Sequence, residues 1–341
     1  MQRGDPALEN PFLSSHFALA VARARRSCFV AVLEDGDKTV GFLPYERRSL
    51  RVGKAIGYGV SDCQGMVHAP GVTWDPRALL RACDLDVWEF DHLLGSQAPF
   101  APFHAVLERS PVLDLSDGYQ HYLDQRRPTS KRLVKTTMYK ARKLERELGV
   151  EMRFEFDARD RDALGALMGW KSKQYQRTGG LDRFARDWIV QLVDDLYETR
   201  TEEFAGVLSV LYAGDRPVAA HFGLRSDSIV SWWFPAYDPD FGRYSPGLIL
   251  LLKMAEGAAA AGLDQLDLGK GHESYKQSFK SYDLDIAEGW VERLAVATLL
   301  RRAQRTPPRM LRDFVVSHPS VRRAARGARD RVGRWRVGLS K

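Results

Sequence analysis

Apolar and polar residues alternate in a defined order between Ile229 and Lys280, and the order predicts a strand, a helix and a second strand. The run IVSWWFPAY is β-branched and aromatic, which is typical of a half-buried strand, and Asp238-Pro239-Asp240 ends it with turn residues. Apolar residues then run from Leu248 to Ala261 with a helical period. QLDLG is the second strand. Two strands joined by a helix predict a βαβ unit with parallel strands and a right-handed crossover.

The start of this helix is the first candidate binding site. Ser245 is the expected N-cap, Pro246 suits the first helical position, and Gly247 follows. The parallel arrangement puts this corner at the carboxyl end of the first strand, where free N–H groups and the helix dipole favour an anion. The loop GKGHESYK after the second strand returns to the same edge. We therefore expect Asp267, His272, Tyr275 and Lys276 close to the corner.

The rest of the chain repeats part of this pattern. FVAVLEDGDKTVGFLPY and FAGVLSVLYAGDRPVAAHFGL both predict β-hairpins, and each is followed by further strand and helix signals. We interpret the repetition as a duplicated α+β unit whose first copy lacks the long helix. The first copy is then structural or supplies one wall of a substrate cleft. A chance recurrence in a mixed chain is the alternative that the residues leave open.

Two helices are predicted between the copies. SKRLVKTTMYKARKLEREL carries Leu133, Thr137, Ala141, Leu144 and Leu148 on one face, and Lys and Arg over much of the rest. Its cations form either a solvated face or an electropositive wall for an anionic partner. RDALGALMGWKSKQYQRTGG is the second helix. Its residues Lys171, Gln174 and Tyr175 either line the acceptor side of the cleft or are a solvated and packed helix face.

Length and charge divide the chain into three parts. A chain of 341 residues predicts two domains, at about 150 residues each. We place an N-terminal unit at 1–125, a second unit with the active site at 126–298, and a basic tail at 299–341. Residues 300–341 carry a net charge of +11, against +7 for the whole chain, so the body is not basic. The tail is either solvated and disordered or binds an anionic membrane surface.

Cysteine usage and hydropathy indicate the compartment. The three cysteines, Cys28, Cys63 and Cys83, have neither metal-ligand spacing nor the even number of a disulfide framework, which favours the cytosol and predicts no metal. The N-terminus lacks the basic region of a signal peptide, and the most apolar helix carries Lys253 and Glu256, so it does not predict a membrane span. We expect a cytoplasmic protein, with peripheral attachment to the inner membrane face if the tail binds lipid.

A set of short motifs over about residues 200–285 resembles the CelD/BcsL-type acetyltransferases of the GNAT (Gcn5-related N-acetyltransferase) superfamily. The motifs are Trp233, Ala236-Tyr237-Asp238-Pro239, Tyr244-Ser245-Pro246-Gly247, Asp267-Leu268-Gly269 and Tyr275-Lys276. The last is also similar to the aromatic-Lys-x-x-Phe signature of FemABX peptidyltransferases. The resemblance implies an α+β, tandem GNAT-like fold with mixed sheets flanked by helices.

The same resemblance implies roles for particular residues. It implies that Tyr275 is the candidate acid for the leaving group and Lys276 the candidate oxyanion donor. Asp267, from its place on the second strand, is the candidate base or acceptor-positioning group, with a structural cap or ion pair as the alternative. The donor's phosphates are expected at Arg243, Tyr244, Ser245, Pro246 and Gly247. Trp233, Tyr237, Lys171, Gln174, Tyr175 and His272 are expected to bind the acceptor. Pro246 departs from the usual GNAT phosphate loop because it has no N–H to donate.

These residues predict an acyltransferase. It moves an acyl group, first of all acetyl from acetyl-CoA or another acyl-CoA, to an amine or hydroxyl of a saccharide or other small polar acceptor. The resemblance suggests cellulose or exopolysaccharide synthesis as the setting. One alternative is a FemABX-like transferase that uses aminoacyl-tRNA and acts on a cell-wall precursor. Another is a non-catalytic scaffold. The acyl group, the acceptor and the oligomeric state are not predicted.

Overall fold

The structure is a computed structural model that describes residues 1–2 and 5–293. Residues 1–291 form one compact unit. Its helices are α1 Ser15–Ala24, α2 Pro76–Ala82, α3 Tyr119–Leu148, α4 Arg161–Thr178, α5 Asp187–Glu198, α6 Pro246–Ala260 and α7 Ser274–Phe279. Its strands are β1 Cys28–Asp35, β2 Lys38–Arg48, β3 Val52–Ala55, β4 Val67–His68, β5 Val87–Leu94, β6 His104–Asp114, β7 Met152–Glu155, β8 Ala205–Ala213, β9 Arg216–Arg225, β10 Ile229–Ser231, β11 Phe234–Tyr237, β12 Gln265–Asp267 and β13 Tyr282–Glu292.

All thirteen of these strands belong to one mixed sheet. The order is β1-β2-β3-β5-β13-β6-β12-β10-β9-β8-β7, with β4 beside β2 and β11 beside β9. Strands of the first half occupy one end and strands of the second half the other. Strands β13 and β6 join the two ends, because β13, from the end of the described chain, lies between β5 and β6. The fold therefore has the mixed strands flanked by helices that the sequence predicted.

Most elements with strong local signals form as predicted. The hairpins β1–β2 and β8–β9 turn at Gly36 and Gly214, both in the left-handed region that a glycine adopts without strain. Helices α2 and α4 begin at the N-caps Asp75 and Asp160, whose carboxylates accept from backbone N–H groups of the first turn. Strands β10 and β12 pair in parallel around α6, which confirms the βαβ unit.

The strand predicted as Ile229–Tyr237 is two strands. Strand β10 ends at Ser231 and β11 begins at Phe234, and the interruption falls on Trp232 and Trp233. Strand β10 pairs with β12, but β11 pairs only with β9. The chain therefore leaves β12 after Ser231, and a gap opens between β11 and the loop that follows β12.

Helix α3 packs beside this gap along its whole length. Its first turns lie on α7, where Tyr122 Oη donates to the carbonyl oxygen of Phe279 (2.7 Å). Its last turns lie on α6 and on the 3-10 turn Pro239–Tyr244. The predicted division between residues 125 and 126 falls inside this continuous helix. The tail predicted at 299–341 lies outside the described residues.

Among the helices that the structure describes, none is both long enough and apolar enough to cross a membrane.

Candidate active site

Side chains from β9 and β10 hold the strand interruption beside the gap. The Oγ atom of Ser231 accepts a hydrogen bond from the backbone N of Leu224 (2.9 Å) and so replaces a rung of the strand ladder. His221 Nε2 lies 2.9 Å from the Ser231 carbonyl oxygen and 3.2 Å from the Trp233 backbone nitrogen. Burial lowers the pKa of His221 to about 3, so the ring is uncharged at neutral pH. These contacts hold the end of β10 and the interruption after it against β9.

Gly223 is required for the same close approach. A Cβ atom at this position would lie 2.0 Å from the Ser231 carbonyl oxygen, so the two atoms would overlap. The His221 ring also stacks on the indole of Trp232, with ring centroids 4.6 Å apart. The gap is therefore a rigid feature of the second half.

The amino end of α6 forms one end of the gap, as predicted. Ser245 occupies the N-cap position in the left-handed conformation, but its side chain makes no cap bond. Ser245 Oγ accepts instead from the ammonium of Lys140 on α3 (2.7 Å). Within the described part of the chain, the N–H of Gly247 has no hydrogen-bond partner. The corner therefore offers one free N–H, one cation and the helix dipole to an anion.

Arg243 and Tyr244, predicted to bind the donor, are engaged with α3. The guanidinium of Arg243 lies 3.2 Å from a carboxylate oxygen of Glu147 and above the Tyr244 ring. The buried Tyr244 donates its hydroxyl to the same carboxylate. Much of the Arg243 charge is thus balanced by Glu147. The cation at Ser245 is Lys140. The sequence indicated it only as one of several cations on the helix that is now α3.

The other end of the gap is the loop between β12 and α7. Lys276 is buried, and its Nζ donates to the carbonyl oxygens of Gly269 (3.1 Å) and Lys270 (3.2 Å). Glu273 Oε2 lies 3.5 Å from the same ammonium. The lysine therefore fixes the loop and keeps a positive charge beneath it.

Asp267 ends β12 and is buried. Its carboxylate accepts from Ser110 Oγ (2.5 Å), from Gly269 N (2.9 Å) and from Asn10 Nδ2 (3.3 Å). Burial raises its pKa, and these hydrogen bonds act in the opposite direction. Both oxygens are engaged in holding three segments together. Its role as a base stays a prediction, and the structure shows a positioning role.

The remaining predicted residues differ in their exposure. Tyr275 is half-buried, and burial raises its pKa to about 12, so its hydroxyl is protonated at neutral pH. Tyr237 is half-buried and lies beside Gly247. His272 is largely exposed, 3.2 Å from Glu108. Trp233, expected to contact the acceptor, is instead a buried core residue whose Nε1 donates to the carbonyl oxygen of Val60 (2.7 Å).

Helix α4 forms a wall of the gap next to β11. Lys171 Nζ donates to the carbonyl oxygen of Pro235 (2.8 Å) and lies over the Tyr175 ring. Burial, together with the nearby cations Arg183 and Lys276, lowers the pKa of Lys171 to about 8. Gln174 is half-buried on the same helix. The structure thus brings Lys171 and Lys276 into one electrostatic neighbourhood.

Two charged residues of this neighbourhood were missed from the sequence. Asp62 comes from the loop between β3 and β4, and Arg183 from the segment after α4. The charges of both act on Lys171, and those of Arg183 and Lys276 act on Asp62. A lone Asp or Arg in a loop carries no periodic signal, so only the fold assigns them to the site. Across the described residues, no group of three or more His, Cys, Asp or Glu could hold a metal ion.

Comparison with known proteins agrees with this arrangement. Residues 131–277 match the protein family described as Acetyltransferase (GNAT) domain. The solved structure of FemX has 10% sequence identity, a TM-score of 0.56, and covers 88% of this chain and 97% of its own. The C-terminal domain of a protein from Agrobacterium fabrum, assigned as a lysylphosphatidylglycerol synthetase, has 13% identity, a TM-score of 0.50, and covers 84% of this chain and 91% of its own. No curated protein matches the chain.

The family match covers α4, the gap, the α6 corner and most of the loop that carries Lys276. The two solved structures share the fold across both halves. The chain is therefore an acyltransferase with a GNAT-type acetyltransferase domain over residues 131–277.

Proposed function

We propose that the chain transfers an acyl group from acetyl-CoA, or another acyl-CoA, to an amine or hydroxyl of a polar acceptor. The observation that carries the proposal is the gap that opens where β10 leaves β12. An anion-binding corner with the free Gly247 N–H and Lys140 lies at one end, and Lys276 lies in the loop at the other. A donor with phosphates at one end and an acyl group at the other fits this polarity.

The distance between the two ends supports a long donor. Along α3, residue 129 contacts the α7 end and residue 140 contacts Ser245. Eleven residues of helix span about 16 Å. A donor that reaches both ends therefore needs an extended arm between its phosphates and its acyl carbon, as an acyl-CoA has. Such an arm places the carbonyl near the Gly269–Lys276 loop.

The chemistry at that end needs three groups. The acceptor atom attacks the thioester carbonyl, the carbon–sulfur bond breaks, and the developing oxyanion meets a positive donor. Lys276 supplies the charge after one of its carbonyl contacts loosens. Tyr275 is protonated and supplies the proton to the leaving thiolate. Lys171, Gln174 and Tyr175 face the acceptor.

We further propose a cell-surface polysaccharide precursor as the acceptor, in a cytoplasmic setting. The motif resemblance supports this, and the half-buried Tyr175 and Tyr237 beside the gap offer rings on which a sugar can stack. Peripheral attachment through the basic tail would keep the enzyme where such precursors are assembled.

A second candidate donor is an aminoacyl-tRNA. Lys131, Arg132, Lys135, Arg142 and Arg146 are exposed on α3 and form no ion pair within the described residues. Helix α3 has 30 residues and is about 45 Å long, which exceeds what one coenzyme covers and suits a polyanion.

Calorimetric titration of the full chain separates the candidates. Acetyl-CoA is expected to bind one to one, and Gly247→Glu is expected to abolish the binding because a carboxylate then faces the phosphates. A Cβ at Gly247 would lie 3.4 Å from the Tyr237 ring, so Gly247→Ala is the matched control that keeps the fold. Binding of aminoacyl-tRNA alone, with an affinity that falls steeply with salt, supports the second donor. Binding of neither contradicts both and leaves the scaffold.

A further inference from the structure

The first half of the chain contributes one carboxylate to the site, from Asp62. It lies in the loop between β3 and β4, far in sequence from the other site residues. A Cβ atom at Gly269 would lie 3.0 Å from Asp62 Oδ2. The carbonyl oxygen of the same Gly269 accepts from Lys276 Nζ (3.1 Å). Asp62 and Lys276 therefore approach the same glycine, one from each half.

The loop that carries Asp62 is held in place from both halves. The carbonyl oxygen of Val60 accepts from Trp233 Nε1 of the second half (2.7 Å). Ser61 Oγ donates to the carbonyl oxygen of Cys63 (2.6 Å), and Gln64 Nε2 donates to Asp91 Oδ1 (2.7 Å). The residues on either side of Asp62, Ser61 and Cys63, are buried. The backbone that carries Asp62 is consequently held in place from both halves.

The carboxylate of Asp62 has no hydrogen-bond or ion-pair partner among the described residues. It is only partly exposed. The cations Arg183 and Lys276 are near enough to stabilise its charge but do not bind it, and Lys171 lies in the same neighbourhood. A partly exposed carboxylate without a protein partner is available to accept from a hydrogen-bond donor or a cation of a ligand. Asp62 can therefore bind a cation or donor that arrives with the substrate.

We propose that Asp62 binds the ammonium group of a primary-amine acceptor and removes its proton. This inference rests on the proposed acyl transfer and narrows its acceptor to amines. An N–H bond of the ammonium breaks to the Asp62 carboxylate, and the freed nitrogen pair attacks the acyl carbonyl carbon. The carbon–sulfur bond then breaks, the thiolate takes a proton from Tyr275, the nitrogen's second proton restores Tyr275, and Asp62 returns its proton to solvent. The products are an amide, a free thiol and one proton.

An amine is favoured over a hydroxyl by acidity. Alkylammonium groups have pKa values of about 8 to 10. A carboxylate can remove a proton from such a group in a site that brings the two pKa values closer together. The pKa of a sugar hydroxyl lies far higher, and its deprotonation needs a stronger base. Burial raises the pKa of Asp62, which makes it a better base than an exposed aspartate. The charged and titratable groups that act on it or on which it acts are His92, Arg183, Asp267, Lys276, Cys63, Lys171 and Tyr175.

Acetyl transfer from acetyl-CoA to D-glucosamine tests the inference, with D-glucose as the acceptor that lacks the amine. The full-length wild type is expected to acetylate glucosamine and not glucose. Asp62→Asn is expected to lower kcat for glucosamine by about 10²-fold or more, while the Kd for acetyl-CoA stays unchanged. Asp62→Glu should retain part of the activity.

Methoxyamine separates proton removal from a structural role. It is uncharged at pH 7 and needs no base, so its acetylation should be nearly equal in wild type and Asp62→Asn. The assignment is overturned if Asp62→Asn loses the same fraction of its acetylation rate with glucosamine and with methoxyamine. It is also overturned if the rate of Asp62→Asn with glucosamine is within threefold of that of wild type. Preferential acetylation of glucose would overturn the amine class. A wild type that binds no acetyl-CoA contradicts the proposed donor instead, which calorimetry detects before any turnover is measured.

Discussion

The ammonium of Lys140 donates to Ser245 Oγ across 2.7 Å, and this bond connects α3 to the amino end of α6. It puts a cation where Pro246 has removed a backbone donor. The usual phosphate grip of successive N–H groups is thus replaced in part by a side chain from another helix. The same helix contacts α7 near Lys276, so α3 sets the spacing between the two ends of the site.

Replacement of Lys140 by methionine is expected to weaken acetyl-CoA binding by about tenfold, equivalent to about 1.4 kcal/mol. The side chain keeps its length but loses the charge beside Ser245. Lys135→Met, exposed on the same helix, is the matched control and should change affinity little. Calorimetric Kd values in low and high salt measure both. Equal affinities for the two variants would remove Lys140 from the donor corner.

Lys276→Ala is expected to lower turnover by about 10²-fold or more, because the oxyanion loses its cationic donor. Donor affinity should stay close to that of wild type, since the phosphates bind at the other end. Lys270→Ala is the matched control, because the neighbouring Lys270 is ion-paired with Glu288 on β13. Steady-state kinetics with the true acceptor decide the matter. A Lys276→Ala variant with wild-type kcat refutes the role.

Gly223→Ala is expected to destabilise the fold by at least about 3 kcal/mol, because the new methyl would overlap the Ser231 carbonyl oxygen. Gly165→Ala is the control. That glycine lies inside α4 with no atom within 4 Å of its added Cβ, so alanine there should stabilise by about 0.5–1 kcal/mol. Urea unfolding of both variants gives the difference. A neutral Gly223→Ala would show that the gap is not rigid.

The stability of the fold should depend on pH through Lys171. Its pKa is lowered to about 8 from the model-compound 10.5, so between these values the unfolded chain binds a proton that the folded chain does not. Stability due to this group therefore rises with pH across that window, by about 1–3 kcal/mol once solvent screening is included. Lys171→Met should lack this rise, and Lys173→Met should keep it. Urea unfolding at pH 7.5 and pH 10 measures how the free energy of unfolding changes with pH. The same change in wild type and in Lys171→Met would contradict the prediction.

Deletion of residues 306–341 is expected to leave the fold and donor binding intact. The same deletion should abolish sedimentation with anionic liposomes at low salt, because each Lys or Arg near such a surface contributes about 1 kcal/mol. Added salt should weaken sedimentation of the full chain. Neutral liposomes are the control. A full chain that ignores anionic liposomes at low salt removes the membrane proposal.

Local signals in the sequence were sufficient for the hairpins, for α4 and for the βαβ unit. Gly36 and Gly214 mark tight turns, Asp160 caps α4, and the apolar run of α6 has a helical period. Each of these depends on residues a few positions apart. Strands β6 and β13 were not predicted, because their pairing joins residues at least 170 positions apart, such as Arg109 and Asp285.

The composition of the site was decided by tertiary structure. The run IVSWWFPAY predicted one strand, but it is interrupted because Gly223 and His221 on β9 admit the Ser231 carbonyl there. Asp267 was predicted from its motif, yet Ser110 and Asn10, from the other half, determine what its carboxylate binds. Asp62 reaches Gly269 only because the two halves share one sheet. The sequence alone determined which local elements form, since each follows from neighbouring residues. Which charges meet in the gap was set by long-range strand pairing, which no local pattern encodes.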